Sequence, residues 1–250
     1  MNFLSNALGY IFTAAHWTGS SGLGVRIGEH LEYTALAVLA AVVIAVPLGL
    51  FIGHTGRGIF LVVSAVNALR ALPTLGVLLL GVLLWGLGLV PPTVALLLLG
   101  VPPLLAGTYS GIANVDRTVV EAARAMGMTE RQVLFGVEVP NALPLILSGL
   151  RTATLQVVAT ATVAAYASLG GLGRYLIDGI KVRQFHLALV GAIMVTALAL
   201  LLDAMLALAV WLSAPGTGRL RPVPDLPDRE GQAVYADSGV SAGAMPRSPG

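Results

Sequence analysis

Long uncharged runs divide the chain. Between Tyr33 and Gly53 no formal charge interrupts the apolar sequence. At about 1.5 Å per residue such a run crosses a hydrocarbon core of about 30 Å as one helix. After the polar turn His54-Thr55-Gly56-Arg57, the apolar run Ile59 to Leu69 stops at Arg70. It is too short to cross and is expected as an interfacial or re-entrant helix. From Ala71 to Val115 there is again no formal charge. This stretch predicts two spans, Leu72 to Val90 and Thr93 to Ile112, folded at Val90-Pro91-Pro92, with Pro102 and Pro103 kinking or breaking the second of them. A polar, charged segment from Asn114 to Arg151 follows. Then come the uncharged run Thr152 to Leu172 and the run Leu187 to Leu212, which holds one acid, Asp203.

The pattern therefore predicts an all-α polytopic membrane protein with about five transmembrane helices. Residues 1–32 are expected as an N-terminal amphipathic or interfacial segment, because Leu4, Leu8, Ile11 and Phe12 recur at helical spacing and Trp17 suits headgroup level. No cation precedes Arg26, so this start does not read as a cleaved secretory leader. Residues 33–212 form the transmembrane domain, with 114–151 as its cytoplasmic loop. The tail, 213–250, is rich in Pro, Gly, Ser and Asp and reads as disordered.

Composition removes other classes of function. The chain is 56% hydrophobic and 10% charged, against roughly 25% charged residues in a soluble domain, so most of its surface must face lipid. With no cysteine and four scattered histidines, it offers no disulfide framework and no metal-ligand spacing. Its single lysine, Lys181, precedes Val182 and Arg183 rather than Ser or Thr, so no Walker A loop exists to hold ATP. A net charge of +2 without a Lys/Arg-rich run excludes nucleic acid as a partner. Arg57, Arg70, Arg117, Arg124, Arg131, Arg151, Arg219, Arg221 and Arg229 are expected on the side of the 114–151 segment, and Arg26, Arg174, Lys181 and Arg183 on the other. The positive-inside rule then puts the N-terminus outside and the C-terminus in the cytoplasm.

The 114–151 segment is the most specific part of the chain. Asp116 is placed to cap a helix from Arg117 to Met126, and Gly127 suits its left-handed end. Thr129 with Gln132 makes a capping-box pattern for a second helix. Val119, Ala122, Ala123 and Met126 form an apolar stripe of mostly small residues on the first helix, flanked by Arg117, Glu121 and Arg124. Such a stripe either receives a partner's groove or lies in the membrane interface.

Glu121-Ala122-Ala123, three residues, Gly127, nine residues, then Val137-Glu138-Val139-Pro140 resembles the EAA loop of binding-protein-dependent ATP-binding cassette importer permeases. That family's pattern is EAA, three residues, G, nine residues, I, one residue, LP, from which Val137 and Val139 depart conservatively. Arg70-Ala71-Leu72-Pro73-Thr74-Leu75, Gly107-Thr108-Tyr109-Ser110-Gly111-Ile112, Gly149-Leu150-Arg151-Thr152-Ala153 and Gly170-Gly171-Leu172-Gly173 are similar to the branch that imports glycine betaine, choline, carnitine or proline.

The resemblance implies the type I importer core in a bacterial plasma membrane, non-catalytic in itself. ATP would be bound by a separate ATPase subunit, so this chain would carry no cofactor of its own. Glu121, Ala122, Ala123, Met126, Gly127 and Pro140 would form the ATPase-coupling surface. A second permease subunit, identical or not, and an extracytoplasmic substrate-binding protein would complete the assembly. The alternative is an ion-coupled secondary transporter or channel, which would carry its own ion site or an inverted repeat. Spans one to three match spans four and five in neither length nor motif.

Within the membrane, Thr152, Gln156 and Thr160 fall at i, i+4 and i+8, with Thr154 and Thr162 nearby. That face either lines the translocation pathway or packs against another helix. Asp203 either attracts a cationic solute or pairs with an arginine such as Arg70 or Arg151. Gly170, Gly171 and Gly173 follow no strand, which excludes a dinucleotide loop, and read as a turn where a binding protein docks. Aromatic residues are 6% of the chain, too sparse to suggest a cage for a quaternary ammonium.

Overall fold

The computed structural model describes residues 3–213, and within them all regular structure is helical. The expected disordered tail lies outside the described residues apart from Ser213. The elements are α1 (Phe3–Phe12), α2 (Leu23–Thr55), α3 (Ile59–Ala71), α4 (Thr74–Trp85), α5 (Val90–Ala113), α6 (Arg117–Ala125), α7 (Glu130–Val133), α8 (Val139–Thr160), α9 (Gly173–Lys181) and α10 (Phe185–Ser213). A π-helical turn, Leu134–Glu138, joins α7 to α8, and a 3-10 segment, Ala161–Ala167, continues α8.

Helix α2 begins at Leu23, inside the segment expected to be interfacial. The uncharged-run reading stopped short because Arg26, Glu29 and Glu32 lie in its first turns. Arg26 and Glu29 are paired at 2.9 Å, and Glu29 also accepts the Gly171 N–H at 2.7 Å, so charge is accommodated without ending the helix. Gly171 has φ +81, a conformation glycine adopts without steric cost. Further along, Ala37, Ala41 and Ala45 are fully buried, and Gly49 and Gly53 extend the same four-residue ridge. Small residues at this spacing let two helices approach closely, the usual device where lipid supplies no hydrophobic drive between spans. The facing helix is α5: a Cβ on Gly49 would lie 2.6 Å from Thr108 Cβ, and one on Gly53 would lie 2.6 Å from Ile112 Cβ.

Pro91 and Pro92 occupy the first turn of α5, where a missing N–H costs nothing. The helix continues through Pro102 and Pro103, both buried, so the expected break does not occur there. It occurs one element earlier. The expected second span, Leu72 to Val90, is replaced by α4, which at about 1.5 Å per residue is too short to cross. Residues 62–71 and 74–85 meet at 86°. Leu72, held extended (φ −72, ψ 128) ahead of Pro73, makes the bend, as steric conflict with a following proline ring predicts. Among the described residues, four helices are long and apolar enough to cross, and the bent pair counts as a fifth if taken as one span.

The expected fourth span, Thr152 to Leu172, also moves. Helical structure is continuous from Glu130 to Ala167, so much of the expected loop is the start of a spanning helix. Two of its charges, Glu138 and Arg151, find partners on α2 and α10 and so do not terminate it. Helix α1 packs Ala7 against Leu23 and Val190, and Phe3 meets Phe185 edge-on at 6.1 Å. The outer face of α10 leaves Leu200, Leu201, Met205, Leu208 and Trp211 exposed, a surface suited to lipid.

Candidate coupling hairpin and translocation face

The segment from Asp116 to Pro140 builds a capped hairpin. Asp116 accepts the Thr118 N–H at 2.9 Å and also the Thr118 hydroxyl. These bonds, the side-chain one first, hold its carboxyl below the usual aspartate range. At the far end Gly127 adopts φ +84, and the Met128 N–H closes back on the Ala123 carbonyl at 3.2 Å. Thr129 then starts α7 with both halves of the capping box: its hydroxyl accepts the Gln132 N–H, and the Gln132 side chain accepts the Thr129 N–H at 2.8 Å. Pro140 has no N–H to offer Gly136, and the helix widens into its π turn immediately before it, as an interrupted hydrogen-bond ladder allows.

The two faces of α6 differ from the expected stripe. Val120 and Ala123 turn inward onto Val133, with Val115, Met128 and Val137 packed around them. Val119, Ala122 and Met126 stay exposed, Met126 at 77%. Ala123 therefore belongs to the hairpin's core rather than its open face, because a helix this short must spend one stripe holding itself to its neighbour. Glu121 is exposed beside that core, and Pro140 is exposed at the start of α8. Arg124 makes a two-point contact to Glu130, at 3.0 and 2.9 Å, joining α6 to α7. These hydrogen bonds raise the Arg124 guanidinium and lower the Glu130 carboxyl from their ordinary values.

Beneath α6 lies a cavity of about 470 Å³ bordered by His54, Tyr109, Arg117, Glu121, Arg124 and Glu138. His54 and Glu138 were not singled out by sequence pattern. Glu138 is buried at 5% exposure, and its carboxylate meets His54 Nδ1 at 2.6 Å. The signal available in the sequence was an acid between two valines directly ahead of Pro140.

The candidate pathway residues separate. Thr152 and Gln156 face outward from α8 and Thr160 is half-exposed. Thr154, by contrast, is buried. The Thr152 hydroxyl is returned to the Ser148 carbonyl at 3.0 Å. Gln156 borders a cavity of about 310 Å³ with Arg70, Thr74, Val77, Leu98 and Pro102, which places a polar side chain from α8 beside the α3–α4 bend. Asp203 does not join this face as a free charge. It pairs with Arg151 through two contacts, 2.5 Å to Nε and 2.7 Å to Nη2, as the scarcity of water near a spanning helix demands of a carboxylate.

Comparison with known proteins follows the same segments. Residues 41–210 match the family described as binding-protein-dependent transport system inner membrane component. The glycine betaine/carnitine/choline transport system permease protein of Bacillus subtilis (strain 168) is 37% identical over 190 residues, covering 76% of this chain and 88% of that one. The choline transport system permease protein of the same organism is 37% identical over 192 residues, 77% of this chain and 88% of the other. The glycine betaine/proline betaine transport system permease protein of Escherichia coli (strain K12) is 31% identical over 185 residues, 74% of this chain and 52% of that longer relative. Among solved structures, an inward-facing MetNI methionine ABC transporter chain aligns with TM-score 0.65 at 21% identity, covering 74% of this chain and 93% of that chain. With that fold shared and the family match running through most of the described helices, the chain belongs to the binding-protein-dependent transport system inner membrane components, as a multi-pass membrane permease.

Proposed function

We propose that this permease is the transmembrane subunit of an ATP-binding cassette importer for a compatible solute: glycine betaine, choline, carnitine or proline. The observation that carries the reading is the hairpin itself. A capped α6 presents Val119, Ala122 and Met126 to solvent on the side that bears most of the arginines, and a separate ATPase subunit would receive that stripe in a groove. Glu121, Ala122, Met126, Gly127 and Pro140 form the coupling surface, with Ala123 holding α6 in place from within. The N-terminus lies outside and the C-terminus in the cytoplasm.

In mechanism, closure of the ATPase pair moves the hairpin, and the continuous helix from Glu130 to Ala167 carries that movement into the membrane. The face bearing Thr152, Gln156 and Thr160 then opens to one side or the other of the pathway shared with a second permease subunit. Hydroxyls and one amide offer weak hydrogen bonds to a passing zwitterion, as a path that must release its solute requires. Recognition resides in an extracytoplasmic binding protein that docks near Gly170 to Gly173. The chain is a carrier component, and ATP hydrolysis belongs to the partner subunit.

The test is uptake of radiolabelled glycine betaine, choline and proline into proteoliposomes holding this chain, its ATPase and its binding protein, with and without internal ATP. Uptake that requires both ATP and the binding protein supports the proposal and names the solute. Uptake indifferent to ATP that follows an ion gradient overturns it in favour of a secondary transporter.

A further inference from the structure

In the last turn of α2, His54 reaches the hairpin. His54 points both ring nitrogens at carboxylates: Nδ1 lies 2.6 Å from Glu138 Oε2 and Nε2 lies 3.2 Å from Glu130 Oε2. A neutral imidazole has one N–H, and an ionised carboxylate only accepts. Both contacts therefore hold only when the cluster carries one proton more than a neutral ring beside two carboxylates. That proton sits on the second ring nitrogen or on the carboxyl it faces.

The surroundings are mixed in charge. From α6, Arg117, Glu121 and Arg124 border the same cavity, and α5 contributes Tyr109. Arg124 is already engaged by Glu130. Glu138 is the buried partner, with 6% of its side chain exposed against 61% for Glu130, so its carboxylate depends on His54. The hairpin's apolar cluster draws its members from residues 115–137 and does not reach α2. The His54 contacts do.

Resting on the importer reading, we propose that His54 is the positioning residue that ties the cytoplasmic end of α2 to the coupling hairpin, and that the tie is closed by a proton. Protonated, it makes α2 follow α6, and α2 carries the small-residue ridge on which α5 packs. Deprotonated, one carboxylate faces a lone pair and the hairpin moves without its helix. Coupling then weakens as cytoplasmic pH rises.

The chain has no cysteine, so a pair of spin labels at Phe51→Cys on α2 and Ala125→Cys on α6 reports the tie directly in the full chain in nanodiscs. The distance distribution is expected to be narrow at the acid end of a pH series and broad at the alkaline end, as a tie closed by a proton requires. His54→Ala is expected to be broad at both. His54→Gln, whose amide donates two hydrogens without titrating, is expected to be narrow at both. A His54→Ala distribution matching the parent, or a pH response surviving in His54→Gln, overturns the proposal. In the reconstituted complex, uptake per ATP hydrolysed falls roughly tenfold in His54→Ala, the ratio lost with one hydrogen bond to a charged group, and His54→Gln restores it. Unchanged stoichiometry in His54→Ala also overturns it. If ATP drives no uptake in any variant while the label distances respond as stated, the importer reading fails and the physical tie stands.

Discussion

Replacing Gly107 with alanine adds one methyl group where α5 crosses α8. The new Cβ would lie 2.7 Å from Gly149 Cα, 3.0 Å from the Leu145 carbonyl oxygen and 3.1 Å from the Gly149 nitrogen. Carbon atoms rest at about 3.5–4.0 Å, so the crossing must open by roughly 1 Å. Every neighbour is backbone, and no rotamer change can relieve the contact. Overpacking of this kind costs about 1–3 kcal/mol, while alanine regains about 1 kcal/mol of helix propensity over glycine. The same substitution at Gly28, inside α2 with nothing within 4 Å of the added Cβ, keeps the gain and avoids the clash. Gly107→Ala should therefore be less stable than Gly28→Ala by about 1–3 kcal/mol, the propensity term cancelling between them. The assay is unfolding of the purified full chain in mixed micelles by denaturant, with both variants under one set of conditions. Equal stability of the two would refute the close crossing and with it the role given to the small-residue contacts.

Other perturbations follow from the same contacts. Arg151→Gln and Asp203→Asn should each lower the thermal midpoint more than the double variant does, because each single change strands a charge; a midpoint loss that simply adds across the pair would contradict the pairing. Gly127→Asp places an acid at φ +84, a strain of roughly 1 kcal/mol, so the chain should insert at normal level yet lose uptake; normal uptake would remove Gly127 from the coupling surface. Thr129→Ala removes the hydroxyl half of the capping box, leaving the Thr129 N–H contact to Gln132, and should cost about 0.5–2 kcal/mol locally, read as faster amide exchange across residues 129–133. Arg124 depresses the Glu130 carboxyl, so the stabilisation is complete above the ordinary glutamate value and is lost as pH falls through the lower folded value. Arg124→Gln should bring the Glu130 titration, followed by NMR, back up toward the ordinary range.

Much of the architecture was legible in hydropathy because lipid is an unforgiving solvent: a backbone group left unpaired in it has no water to turn to. The runs around α2, α5 and α10 announce themselves for that reason, and so do Asp116, Gly127 and the Thr129–Gln132 pair, whose roles depend on neighbours within a few residues. The hairpin was readable as local chemistry. What escaped was decided at long range. Arg151 looked like the limit of a span and Glu138 like part of a loop, yet the continuous helix Glu130–Ala167 holds both, with Glu138 paired to His54 and Arg151 to Asp203 on other helices. Ala123 looked like part of an open stripe and turned inward, since Val133 lies across from it.

The proline signals show the same division. Pro73 precedes a helix and lies at a sharp bend, whereas α5 continues as a helix through Pro102 and Pro103. Pro102 and Pro103 sit buried against α2 and α8 within a helix anchored along its length, so packing offsets the lost hydrogen bonds. Pro73 lies between two short helices, and there the chain turns through 86°. Composition and periodicity determined that this chain lives in a membrane, roughly how often it crosses, and that it projects a capped hairpin. Only the tertiary structure decided which charges are spent on one another, which alanine faces in, and that a histidine at the end of α2 reaches the hairpin, because each depends on residues far apart in sequence whose partners no local pattern names.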